Sequence, residues 1–294
     1  MKIGVVGGSG LYSMEGLEDR DTVKVVTPFG EPSDAYVRGV MGGHEVYFLP
    51  RHGVGHRLMP SEINHRANIY GFKELGVDLV LSVSAVGSLR EDFHPCDVVL
   101  PDQYYDRTKQ SREHTFFGDG LVGHVGFGEP ACKGLRQQLA SAIEHILKDG
   151  WEEKGNKPQL HVGGTYVCME GPAFSTRAES NIYRQLGCDL IGMTSLPEAK
   201  LCREAQLCYQ AIAMITDYDC WHREADAVTV EMVTANMQAN AKLAKAILRR
   251  IIGPDLQLDA DCACRHSLAA AIATDGDRVP DEKRKQLAIL LGTD

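Results

Sequence analysis

Gln210-Ala211-Ile212-Ala213-Met214-Ile215-Thr216, followed at once by Asp217-Tyr218-Asp219-Cys220-Trp221, is the stretch whose reading decides the fold. The apolar run shows no alternation, so it reads as a strand covered on both faces. Such strands belong to α/β proteins, whose ligands gather beyond the carboxyl ends of the strands. The chain places two carboxylates there. Asp217 and Asp219 share a side under period-two geometry and converge on one small polar partner. Two acceptors suit a group with two N–H donors, and a carboxyl protonated by burial and a like-charged neighbour also becomes a donor and a general acid. An aminopurine edge meets both demands. From Asp-x-Asp alone, a surface turn or a helix cap is the commoner meaning.

Outward from this strand, apolar runs of strand length recur at Ile3 to Val6, Glu45 to Leu49, Leu79 to Ser84, Asp97 to Leu100, Gly164 to Cys168 and Leu190 to Met193. Helical patterns lie among them, at Pro60 to about Gly76, Gly134 to Lys148, Ser175 to Leu186, Glu198 to Ala205 and Val228 to Ile252. Alternating strands and helices predict an α/β fold built around one sheet. Ala35 to Arg38 and Val46 to Phe48 read as an antiparallel hairpin, which makes that sheet mixed. Gly150 to Pro158 reads as an exposed loop within one domain. From Pro254 the composition changes, with helical stretches expected at Ser267 to Ala273 and near Asp281 to Leu291. This tail reads equally as a lid, a subunit contact or a loose end.

The 294 residues carry 31 basic and 40 acidic side chains, a formal charge of -9 that argues against a general nucleic-acid or membrane-surface binder. Any anion must be held by a local site. No apolar stretch approaches the roughly 18 residues of a membrane span, and Met1-Lys2 leads directly into a strand, so a cytoplasmic protein is expected. Nine cysteines, odd in number and mostly in apolar surroundings, fit a reducing compartment. Only Cys262-Ala263-Cys264 forms a local pair. Its spacing is too tight for the common zinc patterns and no second pair accompanies it, so free thiols are expected, with a redox-sensitive link as the lesser reading.

Several other strand exits carry chemistry. Gly7-Gly8-Ser9-Gly10 lets backbone N–H groups and a hydroxyl approach an anion, yet it lacks the order of a dinucleotide fingerprint or a P-loop. Arg51-His52-Gly53, with His56 and Arg57 close behind, places a guanidinium fork and an imidazole at another exit, although a solvated basic loop is commoner. Ser84-Ala85 and Met193-Thr194 repeat the theme. Each is bland alone; together with Asp217 and Asp219 they resemble the walls of one pocket. Glu170-Gly171-Pro172-Ala173-Phe174-Ser175-Thr176-Arg177 reads as a turn opening a helix. Phe174 there would stack on a base or pack in the core, core being the safer reading, and Met193 would lie beneath a sugar or likewise pack.

With these motifs in hand, the chain resembles the 5'-methylthioadenosine phosphorylases of the purine nucleoside phosphorylase superfamily. The likeness runs from Lys2 to about Ile252, through Gly7-Gly8-Ser9-Gly10-Leu11, Arg51-His52-Gly53, Asp102-Gln103, Asp106-Arg107-Thr108, Glu170-Gly171-Pro172, Phe174-Ser175, Met193-Thr194 and Thr216 to Trp221. The resemblance implies a single-domain α/β nucleoside phosphorylase fold over residues 1–253, with a mixed central β-sheet flanked by helices. Residues 254–294 would be a C-terminal helical extension of it. It further implies a homotrimer, inorganic phosphate as co-substrate, and no metal or organic cofactor. By position, Ser9, Arg51, His52, Ser84, Ala85 and Thr194 would hold phosphate, and Met193 would contact the ribose. Asp217 and Asp219 would bind adenine, with Asp217 as the catalytic acid and Phe174 beside the base. Ser175 and Val230 would tune specificity, and His124 would reach the 5' pocket of a neighbouring subunit. Ser9 and Ser84 replace a threonine found in some relatives, keeping the hydroxyl. The implied reaction is phosphorolysis of 5'-methylthioadenosine, a pentosyl transfer. The nearest alternative is the same scaffold tuned to 6-oxopurine nucleosides, where Asn would be expected in place of Asp217. A noncatalytic nucleoside or phosphate binder is the alternative from another class.

Overall fold

The computed structural model describes residues 1–8, 11, 16–108, 113–152, 157–222 and 230–293, with the side chains of 230–233 left aside. The strands are β1 (Lys2–Gly7), β2 (Glu18–Val23), β3 (Tyr36–Met41), β4 (His44–Pro50), β5 (Leu79–Ser88), β6 (Val98–Leu100), β7 (Gln103–Arg107), β8 (Leu160–Val162), β9 (Thr165–Met169), β10 (Leu190–Gly192) and β11 (Cys208–Tyr218). The helices are α1 (His65–Glu74), α2 (Lys133–Lys148), α3 (Arg177–Gln185), α4 (Ser195–Glu204), α5 (Val230–Ile251), α6 (Asp281–Gln286) and α7 (Ala288–Leu291). All strands join one mixed sheet, ordered β2-β3-β4-β1-β5-β10-β9-β7, with β11 on β5 and β6, and β8 on β6.

Helices on both faces explain the unbroken apolar strands. Ile3, Val5, Leu79, Leu81, Ile212 and Met214 pack with Leu135 and Leu139 of α2 and Leu243 and Ile247 of α5. The alternate residues Val6, Val80, Tyr209 and Ala211 pack with Ile69 and Phe72 of α1 and Ala199 and Cys202 of α4. Each strand residue therefore meets a helix, whichever way it points. The predicted hairpin is β3 and β4, paired antiparallel with Val37 opposite Phe48.

The arrangement around β5 positions the site. β11 runs along one edge of β5 from Leu79 to Ser88. On the other edge, β1 pairs parallel with Leu79 to Ser82 only, and β10 pairs antiparallel with Gly87 and Ser88 only. Val83 to Val86 have neither beside them. The carboxyl ends of β1 and β10 thus run toward each other and stop at this gap.

Three expectations need correction. The polar edge strands β2 and β7 carry no apolar run and were not anticipated; edges are where charged residues blunt unwanted pairing. Ser267 to Ala273 is not a helix: a short 3-10 turn at Ala263–His266 leads into a segment whose backbone bonds elsewhere. Ala271 accepts from the His124 N–H, and the Ala273 N–H donates to Val122. Cys262 and Cys264 are not a pair without company, since Cys132 and Cys208 join them. The tail packs on the main body, with Leu256 and Cys264 in one core cluster and Val279, Leu287 and Leu290 in the other. Among the described residues no helix is long and apolar enough to cross a membrane.

Candidate active site

The strand exits named in the sequence converge on the gap in β5. Gly7 stands opposite Pro50 in the β1–β4 pair, and the Arg51 N–H donates to the Gly7 carbonyl at 3.0 Å. The end of β1 and the Arg51 turn therefore lie side by side. Arg51 Nη1 donates to the Val83 carbonyl at 3.1 Å, tying both to the edge of the gap. From the other side, Ile191 opposite Gly87 sends the chain beyond β10 back along β5, so that Met193 and Thr194 approach Ala85 and Ser84. Ser84 and Thr194 are buried, while Ala85 lies at the surface. Thr194 is the N-cap of α4 but its side chain caps nothing, leaving a hydroxyl and the positive end of a helix dipole at the gap.

Three buried hydroxyls cluster here. The Tyr166 phenol adjoins Ser195 and Ser84, which moderate the upward push of burial on its pKa. Yet Ser84 Oγ, Ser195 Oγ and Tyr166 Oη have no well-formed hydrogen bond among the described residues. Buried hydroxyls of this kind are normally paired, which leaves these three to bond one another or a group entering the gap.

Arg51 differs from the open clamp its position suggested. Its side chain is 3% exposed and forms an ion pair with Glu198, itself 2% exposed. Nε and Nη2 both donate to that carboxylate, Nη2 donates to Ser82 Oγ at 2.7 Å, and Glu198 also accepts from Ser82 at 2.7 Å. Four of the five guanidinium donors are thus spent inside, counting the Val83 bond, and one Nη1 N–H remains. Burial disfavours both charges, but their mutual attraction keeps the Arg51 pKa raised and the Glu198 pKa lowered. Glu198 is the functional residue that sequence reading missed. Its signal was an isolated acid between Pro197 and Ala199 on a helix otherwise apolar at that level, where a charge needs a buried partner.

His52 completes this end. Its Nδ1 lies 2.9 Å from the Leu58 carbonyl, and its ring stacks on His56 with centroids 4.2 Å apart. Burial, then the charges of Arg51 and His56, press its pKa down to about 4, against the pull of the Leu58 carbonyl. At neutral pH it is uncharged, with Nδ1–H facing Leu58 and Nε2 an acceptor for a hydrogen bond from the acid form of a bound phosphate.

Farther along β5 the acidic pair appears. Asp217 pairs with Gly87 across a bulge in which Thr216 is the extra residue. The Thr216 hydroxyl donates to Asp217 Oδ1 at 2.5 Å. Two α5 amides grip the bulge: Asn240 donates to the Ile215 carbonyl at 2.8 Å and Asn236 to the Thr216 carbonyl at 2.9 Å. The Asp219 N–H donates to Ser88 at 2.9 Å, and a Cβ on Gly87 would come within 3.5 Å of the Asp219 Cβ. Both carboxyls are raised above the ordinary range. For Asp217 burial is the main cause, aided by the Asp219 charge and opposed by Thr216. For Asp219 burial is again first, opposed by the Ser180 hydroxyl. Gly87 lies three steps beyond Ser84, about 10 Å along a strand, which leaves room for a sugar between an anion and a base.

Met193 sits beside Gly171, where a Cβ would meet its sulfur at 2.6 Å. Ser175 lies next to the acidic pair, its carbonyl accepting from Cys220 Sγ at 3.2 Å. Phe174 is 83% exposed, so the core reading of it is wrong; it stands at the surface of the Gly171-to-Ser175 loop. His124 is exposed and fixed to the tail through Ala271. Ser9 lies outside the described residues, and Val230 is placed only by its backbone at the start of α5.

The phosphorylase superfamily model matches residues 2–253. The S-methyl-5'-thioadenosine phosphorylase of Koribacter versatilis is 53% identical over 292 residues, covering 99% of this chain and 96% of that one. A methylthioadenosine phosphorylase from an antarctic soil metagenomic library superposes with a TM-score of 0.90 at 45% identity, covering 98% of each chain. A variant adenosine/methylthioadenosine phosphorylase from Schistosoma mansoni, solved with methylthioadenosine, gives 0.78 at 34% identity, over 100% of this chain and 98% of that one. With the family model matched over residues 2–253 and near full-length similarity to these relatives, the chain belongs to the phosphorylase superfamily.

Proposed function

We propose that the protein cleaves 5'-methylthioadenosine with inorganic phosphate, giving adenine and 5-methylthioribose 1-phosphate. The observation that carries this reading is the pair Asp217 and Asp219 at the end of β11, just past the Thr216 bulge and alongside the stretch of β5 that neither β1 nor β10 covers. Relatives named for this activity, and a solved relative holding methylthioadenosine, support it. Phosphate occupies the gap among Ser9, Arg51, His52, Ser84, Ala85 and Thr194, beside the uncapped end of α4. The ribose lies over Met193. Adenine presents its exocyclic amine and N7 edge to Asp219 and Asp217, with Phe174 at the rim and Ser175 and Val230 tuning the fit.

A phosphate oxygen forms a bond to C1' as the bond from C1' to N9 breaks, and the sugar gains oxocarbenium character. The phosphate's negative charge stabilises it. The electron pair of the broken bond enters the purine, and the protonated Asp217 delivers a proton or a strong hydrogen bond to N7. Inorganic phosphate is a co-substrate, and no cofactor takes part. The working form is a cytoplasmic homotrimer in which His124 reaches the 5' group bound by the adjacent chain, with residues 254–294 as a helical extension supporting that loop.

Asp217 disfavours a 6-oxopurine, because its single proton is committed to N7 and its remaining oxygen, an acceptor only, would face the ring oxygen. Base release from methylthioadenosine, adenosine and methylthioinosine, each with and without phosphate, tests the reading. Phosphate-dependent release of adenine with methylthioinosine the poorest substrate is expected; preference for methylthioinosine would point to a 6-oxopurine enzyme, and binding without turnover to a noncatalytic protein.

A further inference from the structure

Four of the nine cysteines meet at one point far from Asp217. Cys132 stands at the N-cap of α2, Cys208 opens β11, and Cys262 and Cys264 come from the tail. Their sulfurs all lie within 4.8 Å of one another. Cys132 and Cys208 are each 3.7 Å from Cys262. A disulfide requires about 2.05 Å, so none of these contacts is one. Four sulfurs bound tetrahedrally at the zinc distance of about 2.3 Å would stand about 3.8 Å apart, edge to edge.

The surroundings suit a bound cation. Cys132, Cys208 and Cys264 are buried and Cys262 is half-buried, so the four sulfurs are largely withdrawn from solvent. Four thiolates around a divalent ion leave a net negative charge. Arg203 Nη2 lies 3.8 Å from the Cys264 sulfur, and the N-terminus of α2 faces Cys132; both offset that charge.

We infer that Cys132, Cys208, Cys262 and Cys264 form a structural tetrathiolate site for a thiophilic divalent cation of the zinc class. Binding forms four metal–sulfur bonds and releases the thiol protons to solvent, with no change in oxidation state. The ion would join the start of α2, the start of β11 and the tail. Fixing the tail there would in turn hold the Ala271 segment that supports His124.

The test uses the full chain, expressed with zinc and purified under reducing conditions without chelator. Elemental analysis should find one zinc per chain. A mercurial thiol reagent should release it, and a Cys262→Ser/Cys264→Ser double variant should lack it, whereas Cys188→Ser should retain it. Because the double variant could fold poorly, wild-type protein stripped by a chelator and reloaded with cobalt provides a second measure. Thiolate-to-cobalt charge transfer and tetrahedral d–d bands are expected. Metal-free wild type, zinc retained by the double variant, a disulfide among these cysteines in protein whose thiols are blocked at lysis without reductant, or cobalt bands of octahedral type would each overturn the proposal. None of these readouts depends on phosphorolysis.

Discussion

At the scale of single residues, the proposed chemistry turns on the Asp217 carboxyl, which burial keeps protonated to higher pH than an ordinary aspartate. Asp217 is raised chiefly by burial and further by Asp219, so its proton is present at low pH and lost as pH rises through the raised value. Asp217→Asn should lower kcat/KM for methylthioadenosine by roughly 100- to 10,000-fold, the usual contribution of a general acid. Adenine release by the purified variant measures this, and unchanged turnover would remove Asp217 from the mechanism. The acids, Ser84 and Thr194 were legible because polar residues directly after apolar runs mark strand exits. Glu198 was not, because helical periodicity does not reveal which buried partner an isolated acid will find. The same lack concealed how fully Arg51 is enclosed.

Elements place those residues through two irregularities of the sheet. The gap in β5 arises because β1 and β10 share one edge from opposite directions, and the bulge at Thr216 turns Asp217 toward it. Asn240, buried on α5, holds the bulge through the Ile215 carbonyl. Asn240→Ala should cost about 0.5–1.5 kcal/mol in urea unfolding, since the Ile215 carbonyl loses this donor but keeps the Cys96 N–H. It should also reduce kcat/KM although the side chain touches neither proposed substrate; loss of stability with full activity would separate the bulge from catalysis. The central strands and main helices were readable from periodicity, since both faces of the sheet are covered. Pairing order, the bulge and the polar edges were not. They depend on partners distant in sequence, as does the backbone pairing that replaced a helix with extended chain at Ala271 to Ala273.

Over the whole molecule, the segment leading to His124 is anchored by another buried acid. Glu204, at the end of α4, accepts from the Phe116 N–H at 2.7 Å and from Thr115 Oγ1 at 2.8 Å. Burial raises its pKa from 4.5 to about 7, against those hydrogen bonds. The folded protein therefore holds a proton that the unfolded chain releases. This contribution to stability is complete below about 4.5 and disappears as pH rises through about 7. It amounts to on the order of 3 kcal/mol. Glu204→Gln should flatten the pH dependence of urea unfolding across this interval; an unchanged slope would show that Glu204 is ionised in the fold.

The central claim is that phosphate itself attacks the sugar in a cavity shared with the paired acids. Phosphorus-31 NMR of the protein mixed with methylthioadenosine and inorganic phosphate tests this most directly. A sugar 1-phosphate resonance should grow in step with adenine, one for one, at the expense of inorganic phosphate. Adenine appearing with free methylthioribose and an undiminished phosphate signal would mean that water is the nucleophile, and would contradict the account.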